Sequence, residues 1–403
     1  MTHLPGRRTA AVAALAGIAL LATACSTADA GGEAATGGAR DGAAAQVAGA
    51  DGRIAVAYAN GIAVLDAATL DVVEEFETEE FTRLNAFGDG ENVAVTTSEG
   101  FQILDTAAPE LTSTVFPATT PGHVVVHDGK TVLFDDGTGA TTIVETDALR
   151  DGDGALPETV EYTADAAHHG VSIVLADGTL LTTVGDETAR TGAVALGPHD
   201  DHWHELAASD ECPGIHGEGT AKGEAVIFGC EDGALLYHDG AFEKFTAPDA
   251  YGRMGNAYVS ETSPIVVGDY KSDPDAEGYL LNSLALIDTS AHSYEVVDLP
   301  DEVQFTYRDV ARGPEDLAYI IATDGSIHVL DPASGELVDE FPVIDAWEGP
   351  AEWQDPHPSI KVAGDIAYVT EPAANALHAI DLTTGEILAS AEFAEAPNEI
   401  AVA

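Results

Sequence analysis

From residue 51 onward, the chain alternates short apolar runs with turns rich in glycine, aspartate, asparagine and proline. Residues 54–58 (IAVAY) precede Asn60-Gly61, and residues 327–330 (IHVL) follow Asp324-Gly325. Asn-Gly and Asp-Gly pairs between such runs favour the tight turns of β-hairpins. No stretch of twelve residues keeps an apolar stripe at helical spacing. The pattern therefore predicts an all-β domain.

One pattern recurs in the later strands of this domain: an apolar run that ends in aspartate. It occurs five times, at residues 61–66, 100–105, 283–288, 326–331 and 376–381. In several copies a small polar turn and another strand follow, and the aspartate side chain would hold that turn. The strand, turn, strand unit repeats roughly every 40–50 residues, a period typical of propeller blades. The whole mature chain resembles the YVTN and quinoprotein-type propeller repeats.

The number of inner strands gives the number of blades. Inner strands are predicted to begin near residues 85, 123, 169, 216, 256, 309, 357 and 398, which gives eight blades, or seven if two weak units merge. The last run, residues 399–403, is too short to form a blade. We expect it to be the inner strand of the blade that begins at Ile54, which closes the ring and removes its free edges.

The net charge of the chain limits the classes of partner that it can bind. Seventy acidic residues against fifteen basic ones give a net charge of −55. Nucleic acid is therefore excluded as a partner, because affinity for it depends on Lys and Arg that neutralise phosphates. Dense negative charge favours solubility and attracts cations, which is compatible with metal handling without establishing it. We expect a monomer.

The N-terminus is typical of an export signal. Arg7 and Arg8 precede an apolar run from residue 10 to 21, and Cys25 follows a small-residue segment that resembles a lipoprotein cleavage box. We expect a signal peptide at residues 1–24, a lipid anchor on Cys25 and a location on the outer face of the cytoplasmic membrane. Cleavage after Ala30, with a freely secreted product, is the alternative.

The segments after the signal differ sharply in composition. Residues 25–50 are almost entirely small or acidic and cannot bury enough apolar surface to fold, so they predict a disordered tether. The propeller domain then occupies residues 51–403. Once Cys25 is lipidated, Cys212 and Cys230 remain as an even pair, and in an oxidising compartment a disulfide is expected. Zinc ligation by these thiols is the less favoured alternative.

Four histidines occupy equivalent places at the start of inner strands: His123, His169, His216 and His357. A closed ring would point them toward one axis. Zinc requires three or four N, S or O donors in tetrahedral arrangement. The first three histidines fall on consecutive blades, so we expect them to form a zinc site at one rim of the channel.

Further candidates surround this group. His168 is an alternative to its neighbour, because adjacent residues of a strand face opposite sides. Glu218 shares a face with His216 and could supply a fourth zinc ligand or orient one of the ligands through a hydrogen bond. Asp309 and His357 belong to the same ring, although an eight-bladed channel would separate them from the first cluster. Polar channel residues that only bind water are the alternative explanation.

A second histidine cluster lies at residues 199–205 (HDDHWHE). His199, His202 and His204 alternate with carboxylates there, so the segment could bind metal weakly. We expect a mobile loop between blades that exchanges zinc faster than the inner strands and assists handover. An ordinary surface loop is the alternative.

Residues 212–219 (CPGIHGEG) and 228–233 (FGCEDG) resemble the AztD-type zinc metallochaperones. The resemblance continues through residues 167–170 (AHHG) and 355–359 (DPHPS). It implies an exported propeller that binds Zn²⁺ through propeller histidines and hands it to the solute-binding protein of a zinc ABC importer. Some relatives carry a histidine-rich segment after the signal peptide, whereas residues 26–50 contain no histidine.

Two other functions fit the same pattern. A propeller lactonase or lyase could use a channel-bound metal, or His216 and Glu218 as an acid-base pair. A propeller that binds a protein partner without metal is the third reading. We favour a binding and transfer protein without catalytic residues.

Overall fold

We describe the protein from a computed structural model that defines residues 52–150, 155–199 and 202–403. The predicted signal peptide, Cys25, the tether up to residue 50, and Asp200 and Asp201 lie outside these ranges. The helices among the described residues have three or four residues each, and none of them could span a bilayer.

The described residues form thirty-three β-strands and three short 3₁₀ helices. The first strands are β1 (Arg53–Tyr58), β2 (Gly61–Asp66), β3 (Val72–Glu77), β4 (Leu84–Ala86), β5 (Asn92–Thr97), β6 (Gly100–Asp105), β7 (Glu110–Pro117), β8 (Pro121–His127), β9 (Lys130–Asp135), β10 (Ala140–Glu145), β11 (Thr159–Thr163), β12 (Ser172–Val174), β13 (Leu180–Gly185), β14 (Arg190–His199), β15 (His202–Ser209) and β16 (His216–Ala221).

The remaining strands are β17 (Ala225–Cys230), β18 (Asp232–His238), β19 (Ala241–Thr246), β20 (Gly252–Arg253), β21 (Ala257–Tyr258), β22 (Ile265–Tyr270), β23 (Ser283–Asp288), β24 (Ser293–Asp298), β25 (Val310–Arg312), β26 (Ala318–Ile321), β27 (Ser326–Asp331), β28 (Glu336–Pro342), β29 (Ile360–Ala363), β30 (Ile366–Glu371), β31 (Ala376–Asp381), β32 (Ile387–Glu392) and β33 (Glu399–Val402). The 3₁₀ helices are Thr146–Leu149, Pro314–Asp316 and Pro372–Ala374.

These strands form eight antiparallel sheets, one per blade. In chain order the blades are blade 1 (β4–β7), blade 2 (β8–β11), blade 3 (β12–β15), blade 4 (β16–β19), blade 5 (β21–β24), blade 6 (β25–β28), blade 7 (β29–β32) and blade 8 (β33 with β1–β3). The short strand β20 pairs in parallel with β18. The prediction of an all-β, eight-bladed propeller is confirmed.

The C-terminal strand closes the ring, as the sequence predicts. β33 pairs with β1 in antiparallel register from Ile54 opposite Val402 to Ala57 opposite Glu399. Inner strands of neighbouring blades contact one another around the axis in several places, as β33 does with both β4 and β29, β8 with β12, and β16 with β21. Each inner strand therefore faces the central channel.

The hydrophobic core lies between successive blades. One cluster combines Ile54 and Leu65 of blade 8 with Tyr368 and Leu377 of blade 7, all of them fully buried. The outer strands are exposed and carry much of the acidic charge, as in β3 (VVEEFE). Apolar residues therefore hold the blades together, while carboxylates face the solvent.

The strand order also defines two faces of the ring. Inner strands begin at one face, here called the entry face, and the turns between second and third strands return to it because the strands are antiparallel. In blade 3, the amide of Thr183 near the end of β13 donates to the carbonyl of Val171, just before β12. Turns between third and fourth strands lie on the opposite face.

Candidate metal centre

His123, His169 and His216 converge at the entry face. His123 lies in β8, His169 precedes β12 and His216 begins β16, so the three belong to the inner strands of blades 2, 3 and 4. Their ring centroids are 5.0–5.2 Å apart. Each ring offers a nitrogen within 4.8 Å of a nitrogen of the others. We call this group the histidine triad.

Neighbouring blades orient two of the three rings. Nδ1 of His169 lies 2.5 Å from Oδ2 of Asp136, which follows β9 in blade 2. Nδ1 of His216 lies 2.5 Å from the carbonyl oxygen of Gly255, just before β21 in blade 5. Both partners are acceptors, so each Nδ1 carries the proton and each Nε2 presents its lone pair. Such contacts fix the tautomer and ring orientation of metal-binding histidines.

The two oriented rings point their Nε2 atoms at each other. Nε2 of His169 and Nε2 of His216 are 3.0 Å apart. Two lone pairs at this distance repel unless a proton or cation lies between them. Two nitrogens on one tetrahedral zinc ion, with Zn–N near 2.0–2.1 Å, would be roughly 3.3 Å apart. The arrangement therefore fits a shared metal ion after a small adjustment.

Burial keeps two of these rings neutral. Desolvation, followed by the nearby charges of His216 and His169, holds the pKa of His123 well below its usual value. Desolvation also lowers the pKa of His216 to about 3, although the hydrogen bond to Gly255 acts in the opposite direction. A neutral imidazole is the form that binds metal, so both rings are ready to act as ligands at neutral pH.

Local backbone features place His216. Gly217 has φ of +59°, and a Cβ there would lie 2.4 Å from the carbonyl oxygen of Gly255. The pairing of β16 with β17 shifts register at this point, between His216 and Glu218. Glycine thus permits the bulge that turns the histidine toward blade 5.

A disulfide anchors the segment that leads into β16. Cys212 and Cys230 are bonded, with Cα atoms 5.0 Å apart, and both side chains are fully buried. The amide of Glu231 donates to the carbonyl of Pro213 at 2.8 Å, which ties the same segment to the end of β17. The predicted disulfide is confirmed, and its thiols are not metal ligands.

The triad is accessible from the entry face. The side chain of His169 is 44% exposed, whereas His123 and His216 are half-buried. A cavity of about 590 Å³ opens above the three rings. A second cavity of about 340 Å³ continues into the channel and shares His123 and Arg83 with the first. An incoming ligand could therefore reach the triad from solvent.

His168 and Glu218 do not join the triad. His168 is buried, with its ring nitrogens 3.0 Å from the carbonyl oxygen of Ala166 and 3.0 Å from Oγ1 of Thr183, so it has a structural role. The carboxylate of Glu218 lies outside the group of donors within 4.8 Å of one another. It lines the deeper cavity, where its Oε2 has no hydrogen-bond partner, and burial raises its pKa to about 7.

Asp309 and His357 occupy their expected ring positions but stand apart from the triad, on blades 6 and 7. Asp309 is fully buried and accepts a hydrogen bond from the amide of Thr306. Burial raises its pKa well above the usual value. Nδ1 of His357 lies 2.7 Å from the carbonyl oxygen of Asp355, and burial lowers the pKa of this histidine to about 4. Ring size separates both from blades 2–4.

The 199–205 segment is not a loop between blades. His199 ends β14 and His202 begins β15, and the two residues pair across a hairpin within blade 3. The rings of His199 and His202 have centroids 4.9 Å apart, and those of His199 and His204 are 5.9 Å apart. This hairpin joins third and fourth strands, so it lies on the face opposite the triad. The repeat pattern misplaced it because a turn within a blade and a turn between blades have similar composition.

Sequence reasoning missed the residues around the histidines. Asp136 lies in a turn (DDG) that reads like any other aspartate turn, and Arg83, Arg253 and Lys271 follow no repeat. A second group, Asp324, His328 and Glu340, also brings potential ligand atoms within 4.8 Å. There Nε2 of His328 faces Asp324 and Nδ1 faces Glu340, at 2.9 Å and 4.0 Å. Only the contact with Asp324 is a hydrogen bond, since the separation from Glu340 is too long for one.

Comparison with known proteins identifies similar chains. No family model matches the sequence. The chain is 24% identical over 287 residues to the zinc chaperone AztD of Citrobacter koseri, an alignment that spans 70% of this chain and 65% of that protein. The match thus covers a little under two thirds of the relative's length.

Solved structures share the fold. Apo AztD from Citrobacter koseri has a TM-score of 0.68 and 22% identity, over 86% of this chain and 96% of that one. A second AztD structure from the same organism has a TM-score of 0.67 and 21% identity over the same shares. Dihydro-heme d1 dehydrogenase NirN reaches 0.61 with 11% identity, covering 87% of this chain and 75% of that one. The resemblance to AztD-type propellers that the sequence predicts is confirmed.

Proposed function

We propose that this protein is a zinc metallochaperone that works outside the cytoplasm. It would hold one zinc ion at His123, His169 and His216 and deliver it to the solute-binding protein of a zinc ABC importer. The observation that carries the proposal is the pair of Nε2 atoms 3.0 Å apart, each on a ring whose Nδ1 is held by an acceptor. Similarity to a protein named zinc chaperone AztD supports zinc as the cargo.

The triad suits transfer better than permanent storage. Three histidines leave one tetrahedral position open, and structural zinc sites instead close all four with protein ligands. Exposure of His169 at the mouth of the cavity lets an acceptor replace the ligands one at a time. A zinc ion at this position would therefore be held and still be reachable by a partner.

The disulfide supports an oxidising compartment, since such bonds persist outside the cytoplasm. The lipoprotein signal expected from Arg7, Arg8 and Cys25 would tether the propeller to the outer face of the cytoplasmic membrane. The partner in that compartment would be a soluble or anchored binding protein of the importer. Mass spectrometry of the mature N-terminus would distinguish a lipidated Cys25 from cleavage after Ala30.

The direct test is a transfer experiment. Zinc-loaded protein, freed of excess metal, is mixed with the apo solute-binding protein, and the two are separated and analysed for metal. We expect the rate of zinc transfer to increase with acceptor concentration. It should also exceed the rate at which the protein loses zinc to a chelator that is separated from it by a dialysis membrane. A rate independent of acceptor concentration would indicate release to solvent and contradict direct transfer.

The same preparation tests the enzymatic alternative. Zinc bound to three histidines could activate water, and the buried carboxyl of Glu218 lines the neighbouring cavity. Turnover of lactones by zinc-loaded protein, lost in Glu218→Gln, would support a lactonase. We expect no turnover.

A further inference from the structure

The cavity above the triad is basic, although the protein as a whole is strongly acidic. The chain has only fifteen basic residues against seventy acidic ones, yet Arg83, Arg253 and Lys271 line this one cavity. Among its described lining residues, Asp269 is the single carboxylate. That carboxylate is buried and accepts hydrogen bonds from the amides of Gly255 and Asn256, at 2.6 Å and 2.8 Å. It is therefore already occupied by backbone donors.

The two guanidinium groups have unused donors. Nε of Arg83 is buried without a hydrogen-bond partner, and the nearest carboxylate oxygen, on Glu399, is 3.8 Å away. That oxygen already contacts Nη2 of Arg308 at 2.8 Å. Within the described residues, Arg253 makes one side-chain hydrogen bond, from Nη1 to the carbonyl of Gly214 at 3.3 Å. Since a guanidinium offers five N–H donors, both groups have donors left for a ligand.

These positive charges act on the triad. Arg83, Arg253 and Lys271 line the same cavity as its three rings. The same field would oppose a divalent cation bound to three neutral imidazoles. An anion in the cavity would remove that opposition, satisfy the guanidinium donors and fill the open position on the metal.

We propose that the cavity above the triad binds a carboxylate that is held by Arg83, Arg253 and Lys271 and completes the coordination of zinc. The inference rests on the proposed zinc site. Guanidinium groups match carboxylates in geometry, and carboxylate oxygen is an accepted fourth ligand of zinc. By linkage, zinc and the carboxylate increase each other's affinity by the same factor.

The shape of the cavity indicates a carboxylate on an organic body. Its walls include Tyr279, Tyr307 and Trp353, and its volume of about 590 Å³ exceeds the needs of a simple ion. Two sources fit this chemistry: a free small carboxylate, or an aspartate or glutamate side chain of an acceptor protein. In the second case, the acceptor's carboxylate would be the first group to contact the metal during handover.

Cobalt(II) allows the proposal to be tested, because its visible absorption reports the ligands around the ion. The mature protein is loaded with cobalt and titrated with acetate, with acetamide as the neutral control of the same shape. We expect acetate to produce a saturable spectral change and acetamide to produce none. Arg253→Gln and Lys271→Gln should each weaken acetate binding about tenfold, as expected for the loss of a charge-assisted hydrogen bond.

Arg150→Gln is the matched control, because this arginine contacts Glu91 of blade 1 and Asp147 of blade 2 near the surface and does not line the cavity. It should bind acetate like the parent. A capped peptide with one glutamate, compared with its glutamine counterpart, distinguishes the two sources. A response to the glutamate peptide indicates a protein side chain. A response to acetate but not to the peptide indicates a free small carboxylate.

The outcomes that overturn the proposals are distinct. If cobalt binds to the triad but neither acetate nor the glutamate peptide changes the spectrum, the carboxylate site is wrong and the zinc site survives. Equal acetate affinity in the parent, Arg253→Gln and Lys271→Gln would likewise contradict a site held by these residues. If the parent binds no cobalt at all, the proposed function fails and this inference with it.

Discussion

At the scale of single residues, the triad depends on partners that the repeat does not encode. Histidines at positions 123, 169 and 216 could be predicted, since equivalent strand starts in a closed ring must face one axis. Their orientation could not, because Asp136 and the carbonyl of Gly255 come from turns of neighbouring blades. The packing of one blade against the next decides which residue contacts each histidine ring, and the spacing of the sequence repeat does not reveal it.

Replacing Asp136 with Asn tests the role of orientation. The amide keeps the shape of the side chain but loses the negative charge that holds the Nδ1 proton of His169. We expect zinc affinity to fall about 10- to 100-fold, the usual effect of losing such an outer partner. Competition against a chromogenic chelator measures this, with Asp147→Asn, at an exposed position, as the control. Unchanged affinity would show that Asp136 does not support the site.

Glu218 makes apo-protein stability dependent on pH. Its folded pKa of about 7 lies above the ordinary glutamate value of 4.5, so between these two pH values the folded state holds a proton that the unfolded state has released. Stability from this group is therefore present below pH 4.5 and is lost as pH rises through 7. The shift corresponds to about 3 kcal/mol.

Glu218→Gln should remove that dependence. In chemical denaturation of the metal-free proteins, the unfolding free energy of the variant relative to the parent should increase by about 3 kcal/mol between pH 4.5 and pH 8. His123 and His216 titrate in both proteins, so their contributions cancel. A difference that stays constant with pH would mean that the pKa of Glu218 is the same in the folded and unfolded states.

At the scale of elements, the sequence predicted the strands better than their connections. Apolar runs ending in aspartate identified third strands correctly, as in β6, β23, β27 and β31. For the hairpin of β14 and β15 the sequence predicts a loop between blades, because its histidines and carboxylates resemble a polar connection. Its strands pair from Ala193 opposite Ser209 to His199 opposite His202, a register that composition alone does not reveal.

The disulfide stabilises the segment that enters β16. Replacing Cys212 and Cys230 together with Ala should lower the unfolding free energy by about 3 kcal/mol, since the bond closes a loop of 18 residues. Zinc affinity should fall too, because residues 212–215 lead directly to His216. Denaturant midpoints and zinc competition measure the two effects. Two free thiols in the unreduced, unfolded parent would contradict a disulfide.

At the scale of the whole molecule, the ring separates the two histidine clusters. The triad lies on the entry face, and the hairpin of His199, His202 and His204 lies on the opposite face. An acceptor docked over the triad would therefore not contact the hairpin. The basic cavity lies on the entry face as well, so we propose that the acceptor docks there.

Replacing His199, His202 and His204 with Ala should leave both tight zinc binding and the transfer rate of pre-loaded protein unchanged. The rate is measured by mixing the loaded protein with the apo solute-binding protein, separating the two and analysing both for zinc. His169→Ala is the comparison, in which we expect the transfer rate to change. Slower transfer from the hairpin variant would show that the opposite face takes part in delivery. Loss of tight zinc binding in the hairpin variant would show that the hairpin histidines are the zinc ligands.

The central claim is that the histidine triad holds zinc. Metal analysis of the mature protein after loading and dialysis tests it most directly, with His123→Ala, His169→Ala and His216→Ala combined in one variant. His238→Ala is the control, because this histidine ends β18 and belongs to neither group of potential ligands. We predict one zinc ion per chain in the parent and the control, and none in the triple variant, with the fold of all three verified by circular dichroism. A folded triple variant that retains its zinc would contradict the account.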